Sequence, residues 1–129
     1  STARIDKTVA AVRAMSWAEF SRVIEEAFRR HGYAVTAVSA AAADFVIRKE
    51  WRIALVSCKR WKAARTGVEP LQDLYAAKEA HDAQECIYVT TGELTDKPRS
   101  FAGKHAIRLV GGSELARLLP GVGRGKKAA

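Results

Sequence analysis

The 129 residues are 48% hydrophobic, which suits one domain around one core. No apolar run approaches the ~20 residues that cross a bilayer and no secretory leader pattern opens the chain; the start at Ser-Thr-Ala rather than Met reads as a segment of a longer protein and leaves an upstream membrane anchor open. Lys and Arg number 22 against 14 Asp and Glu, a formal charge of +8, which favours an anionic partner, nucleic acid first, over a surface that is merely basic.

Residues 1–15 are mixed and basic, and read as a tether or an extra helix ahead of the domain. Ser16 with Glu19 forms a capping-box pattern, and Trp17, Phe20, Val23, Ile24 and Phe28 follow at helical spacing. The spacing predicts a helix over 16–31, with Arg29, Arg30 and His31 suited to its last turn and Gly32 ending it. Tyr33–Val38 has strand composition, SAAAA is a small-residue loop, and DFVIR at 44–48 reads as a second strand. Lys49-Glu50 is the expected turn into a third strand over 51–59, closing a β-hairpin.

Residues 60–67 (RWKAARTG) read as a basic loop, and 68–83 as a helix with Pro70 in its first turn. The run CIYVTT at 86–91 suits a central strand covered on both sides. A short helix over 94–103 capped by Thr95 follows, then a strand at 107–110, a Gly111-Gly112 turn and a last helix capped by Ser113 and stopped by Pro120. The tail over 120–129 is glycine-rich, basic and expected to be flexible. The order α-β-β-β-α-β-α-β-α, a hairpin followed by β-α-β, predicts an α/β fold: a mixed sheet flanked by helices.

Cys58 and Cys86, both in apolar strand contexts, read as buried free thiols of an intracellular, cytoplasmic protein. His31, His81 and His105 show no zinc-ligand spacing. Chemistry concentrates on the hairpin. Side chains alternate along a strand, so Ile53, Leu55, Ser57 and Lys59 share one face and Ala54, Val56 and Cys58 the other. A two-residue turn at 49–50 sets Asp44 opposite Leu55; a four-residue turn at 49–52 sets it opposite Ser57. Either register brings Asp44 to the face of Ser57 and Lys59. A carboxylate can hold Mg²⁺, a lysine can orient water or neutralise a phosphate, and the Cys58 carbonyl offers a second oxygen. The competing reading is a plain strand-end ion pair between Asp44 and Lys59. Lys59, Arg60, Lys62 and Arg65, with Trp61 among them, form a candidate DNA-contacting edge, in which Trp61 either stacks on a base or belongs to the core.

The segments MSWAEFSRVIEEAFRRHGYAV, ADFVIRKEWRIALVSCKRWK, TGVEPLQDLYAAKEA, CIYVTTGELTDKPRSFAGKH and IRLVGGSELARLL stand in the order seen in the Mrr-type restriction endonuclease domain, a branch of the PD-(D/E)XK nuclease superfamily. The resemblance covers residues 16–119. It implies the restriction-endonuclease-like mixed sheet between helices, and a type IV-like DNA endonuclease that uses Mg²⁺, with Mn²⁺ as substitute, often on modified DNA. It implies DNA as partner and leaves a homodimer open. By motif matching, Asp44 falls at the metal-binding aspartate and Lys59 at the catalytic lysine. Where the family normally has Glu or Gln, two residues before that lysine, this chain has Ser57. SAAAA replaces a glycine-rich stretch, Ser21 follows Phe20 where an acid is frequent, and Gln72 stands where Arg is common. The alternative is therefore a decayed nuclease-fold module that binds DNA without cutting it, in which Ser57 acts at most through a bound water.

Overall fold

The structure, a computed structural model, describes residues 1–124. A five-stranded mixed sheet, in the order β1-β2-β3-β5-β7, forms the centre. Strands β1 (Ala34–Ala37), β2 (Phe45–Lys49) and β3 (Arg52–Ser57) are antiparallel neighbours, while β5 (Glu85–Val89) and β7 (Ile107–Val110) join β3 in parallel. Helices α1 (Thr2–Arg13), α2 (Trp17–Arg30) and α5 (Gly112–Leu118) supply one apolar cluster, built on Val12, Phe20, Ile24, Phe28 and Leu115 against Phe45, Ile47, Val56, Ile87 and Val89. Helices α3 (Glu69–Ala77) and α4 (Asp96–Lys104) cover the opposite face, where Leu71, Leu74 and Ala102 pack with Val46, Leu55, Cys86 and Tyr88. Cross-strand partners fall into the same cluster, Phe45 with Val56 and Val46 with Leu55, as the two-residue period of a strand requires. Each fully buried leucine contributes about 1.5–3 kcal/mol relative to exposure.

The α2 start carries the expected capping box: Glu19 N–H donates to Ser16 Oγ at 3.1 Å and Ser16 N–H donates to Glu19 Oε1 at 3.0 Å. That bond to the Ser16 amide holds the Glu19 carboxyl below its ordinary range. Gly32 follows α2 with φ +91°, a left-handed conformation that glycine adopts without strain.

The hairpin turns one residue later than the sequence suggests. Lys49 pairs with Arg52, so Glu50 and Trp51 form the loop, with Glu50 at φ 56°. Four other expectations need correction. The basic loop over 60–67 contains a two-residue strand, β4 (Arg65–Thr66), which pairs in parallel with β6 (Glu93–Leu94) as a separate small sheet. The helix expected over 68–83 ends at Ala77 and gives way to a 3₁₀ turn (Glu79–His81), closed by Asp82 at φ 57°. Thr95 holds the N-cap position of α4 without a capping side-chain bond. Helix α5 is capped by Gly111, and Ser113 lies inside it, accepting a bond from Arg117 Nη1 at 3.2 Å.

Residues ahead of Met15 form a packed helix. A Cβ on Gly112 would stand 2.8 Å from Val9 Cγ2 and 3.3 Å from Ile5 Cγ2, so α1 and α5 touch through a glycine. The chain just beyond Pro120 is also seated: Thr8 Oγ1 donates to Val122 O at 3.4 Å. Residues 125–129 of the expected flexible tail lie outside the described residues. Among the described residues no helix is long and apolar enough to cross a membrane. Cys58 and Cys86 are free and buried.

Candidate active site

Extending the β2–β3 ladder one step beyond Phe45–Val56 brings Asp44 across from Ser57, the second of the two registers open from sequence. The backbone of Asp44 is tied on both sides: its carbonyl accepts from Val38 N–H at 2.9 Å and its N–H donates to Val56 O at 2.8 Å. Its carboxylate is enclosed, with the residue 6% exposed. Oδ2 accepts from Cys58 N–H at 2.7 Å and from Lys59 N–H at 2.9 Å, while Oδ1 lies 3.4 Å from Lys59 Nζ. Two amides and one cation offset the desolvation of a buried carboxylate. They also fix the bend by which the chain leaves β3. The Lys59 ammonium stands 5.6 Å from the centre of the Trp17 ring, and its side chain is 60% exposed. The lysine thus reaches solvent from between a carboxylate and an indole.

Ser57 ends β3, half-buried, beside Tyr88 of β5. The Cys58 carbonyl accepts from Trp61 N–H at 3.2 Å. Burial above all, and then the neighbouring Asp44 carboxylate, push the Cys58 thiol well up; it is a neutral core group and no nucleophile.

Asp44, Ser57, Lys59 and Arg60 line a cleft of about 370 Å³. Glu69 and Asp73 of α3 line it too, and sequence reasoning passed over both. Their signal was available: they are acids four residues apart on a helix whose other face carries Leu71 and Leu74. Among the described residues no three His, Cys, Asp or Glu side chains converge closely enough to hold a metal ion unaided. A second cavity of about 260 Å³, between Phe28 and Leu118, contains none of these residues.

The candidate DNA edge divides. Arg60 and Lys62 are exposed, with Lys62 Nζ 5.1 Å from the Trp61 ring centre. Arg65 is exposed and 3.6 Å from Glu93, a surface pair worth about 0–1 kcal/mol. Trp61 corrects the base-stacking reading. It is 5% exposed, stacked on Phe20 at 4.6 Å and 8°, and its indole N–H donates to Val12 O at 2.7 Å. Its ring is committed to the core, and its backbone helps hold the 60s segment.

That segment is latched to the end of β5. Thr91 N–H donates to Trp61 O at 3.1 Å and Glu93 N–H to Ala64 O at 2.9 Å. Between them a Cβ on Gly92 would lie 2.0 Å from Ala63 O, a backbone contact with no side chain to rotate away. Gly92→Ala must push the 60s segment off the strand end. The expected loss is about 1–3 kcal/mol, read as a lower urea midpoint with an unchanged slope.

The architecture and this site define a restriction-endonuclease-like domain: a mixed sheet between helices, with an aspartate and a lysine meeting at the end of a hairpin. The solved structure of the protein of unknown function AF1548 is similar in fold, with a TM-score of 0.60 at 19% identity over 70% of this chain. The chain spans 55% of that one. No curated protein matches the sequence. The family model Mrr_cat, described as a restriction endonuclease, matches residues 12–119, and the chain belongs to that family.

Proposed function

We propose that this chain is a DNA endonuclease domain of the Mrr type, acting on DNA in the cytoplasm and hydrolysing its phosphodiester bonds with a divalent metal, on modified DNA among its substrates. The observation that carries this reading is the convergence of a buried Asp44 carboxylate and the Lys59 ammonium at 3.4 Å in an open cleft, within a restriction endonuclease family. The donor set suits a hard cation. Asp44 Oδ1 is the carboxylate oxygen left free of backbone amides, and the Ser57 hydroxyl and Cys58 carbonyl are further oxygens. Mg²⁺ or Mn²⁺ typically takes one or two protein carboxylates and completes its shell with water and phosphate oxygens. When bound, the ion supplies Lewis-acid stabilisation of the charge that develops on phosphate.

The chain's own groups divide the remaining work. Asp44 anchors the Lys59 amide and so fixes where the lysine side chain begins. Lys59 Nζ donates hydrogen bonds to a non-bridging phosphate oxygen and orients the attacking water. Arg60 and Lys62, exposed beside the cleft, contact neighbouring phosphates. Asp44 and Lys59 occur once per chain, so cutting both strands takes two copies, and a homodimer on DNA is the assembly we propose.

Cleavage of methylated and unmethylated plasmid with Mg²⁺ or Mn²⁺, against a chelator control, tests the reading; metal-dependent nicked or linear product is expected. One observation favours a second reading, a module that binds without cutting: Ser57 stands where the family's motif carries an acid. Salt-sensitive binding with no product on either plasmid would decide for it, because phosphate contacts release counterions.

A further inference from the structure

Ser57 leaves Asp44 as the one carboxylate contributed by the hairpin, yet the cleft holds two more. Glu69 and Asp73 lie one turn apart on α3 and line the same space as Asp44, Ser57 and Lys59. The buried Leu71 and Leu74 seat α3 on the sheet, which fixes the face that carries both acids. Glu69 Oε1 lies 3.0 Å from where a Cβ on Gly67 would stand, so this carboxylate leans over a glycine at the cleft wall. Among the described residues neither acid forms an ion pair, whereas the Asp44 carboxylate is engaged by two amides and Lys59.

A second feature of the same place is independent of the acids. Tyr88, the ladder partner of Ser57 on the same sheet face, is fully buried, and its hydroxyl has no hydrogen-bond partner among the described residues; the buried Thr66 hydroxyl has none either. Burial first, and also Asp44, raise the Tyr88 phenol, so it remains a neutral donor behind Ser57. A fully buried polar group without a partner is uncommon, and here it adjoins the cleft that the carboxylates line.

We propose that α3 carries the second metal-binding carboxylate of this domain, Glu69 and Asp73 together supplying toward a divalent cation the oxygen ligands that Ser57 lacks. This rests on the metal-dependent reading above. The acids stand apart from Asp44 across a cleft of about 370 Å³. A cation that keeps part of its water shell can bridge such a distance.

Calorimetric titration of Mn²⁺ into the full chain tests this. The double substitution Glu69→Gln/Asp73→Asn keeps side-chain shape at exposed helix positions, and its thermal melt should match the parent's. Its Mn²⁺ affinity should fall at least ~10-fold, the size expected when groups supporting a metal are removed. Ser57→Glu added to the double variant should restore most of the affinity by returning a carboxylate to the strand. Parent and double variant binding Mn²⁺ within twofold of each other would overturn the α3 assignment and leave the nuclease reading standing. A parent that binds no Mn²⁺, with or without DNA, would overturn the nuclease reading and this inference with it.

Discussion

Lys59→Ala is expected to lower metal-dependent DNA cleavage by about 10²–10³-fold, the loss typical when one preorganised donor to a reacting centre is removed. Stability should change little. The lysine side chain is 60% exposed, and its pair with Asp44 is open to water on one side. Asp44 keeps its two backbone donors in this variant. Asp44→Ala behaves differently, because it strips the partner from the amides of buried Cys58 and of Lys59. An unsatisfied buried donor costs about 1–3 kcal/mol, so this variant should lose both cleavage and stability. Asp44→Asn separates the two effects: its amide oxygen still accepts from both backbone N–H groups while the charge is gone, and most of the stability should return without activity. Rates from plasmid cleavage and midpoints from urea unfolding give both readouts. A Lys59→Ala protein that cuts at the parental rate would remove the lysine from the chemistry and leave Asp44–Lys59 as an ion pair.

Trp61→Ala should be among the most destabilising single changes, by about 3–5 kcal/mol. The ring is 5% exposed, stacked on Phe20 and 5.7 Å from Trp17. Its N–H ties the 60s segment to the Val12 carbonyl near the end of α1. Removing it opens a cavity between α1 and α2 and cuts a bond between distant parts of the chain. Trp61→Phe keeps most of the stacking and loses the hydrogen bond, so its loss should be smaller, near the ~0.5–1.5 kcal/mol net value of such a bond. A base-stacking tryptophan makes the opposite prediction: an unchanged unfolding midpoint with weaker DNA binding. Measuring both on the alanine variant decides between them.

What could be read from the sequence followed what its local physics determines. Alternation along β3 put Ser57 and Lys59 on one face and Asp44 with them, and the structure has that arrangement. The register stayed open because Lys49, Glu50, Trp51 and Arg52 carry no glycine or asparagine to mark the left-handed turn position, which Glu50 takes at φ 56°. The strands β4 and β6 have two residues each, too short for any period to show, and they exist because Gly92 lets two backbones approach. Trp61 sits among cations in sequence and among aromatic rings in space; only the packing of α1 and α2 reveals which neighbourhood governs it. Glu69 and Asp73 become meaningful once α3 is known to lie across the cleft, a tertiary fact that helical spacing alone does not contain.

The latch at Gly92 bears on how the domain meets a long anionic polymer. Arg60 and Lys62 ride on a segment already fastened by backbone bonds to Thr91 and Glu93 and by a buried indole. The conformational entropy of ordering that segment is lost when the chain folds, not when DNA arrives. Association then proceeds as docking of a rigid charged shelf, without the large negative heat-capacity change that accompanies coupled folding and binding.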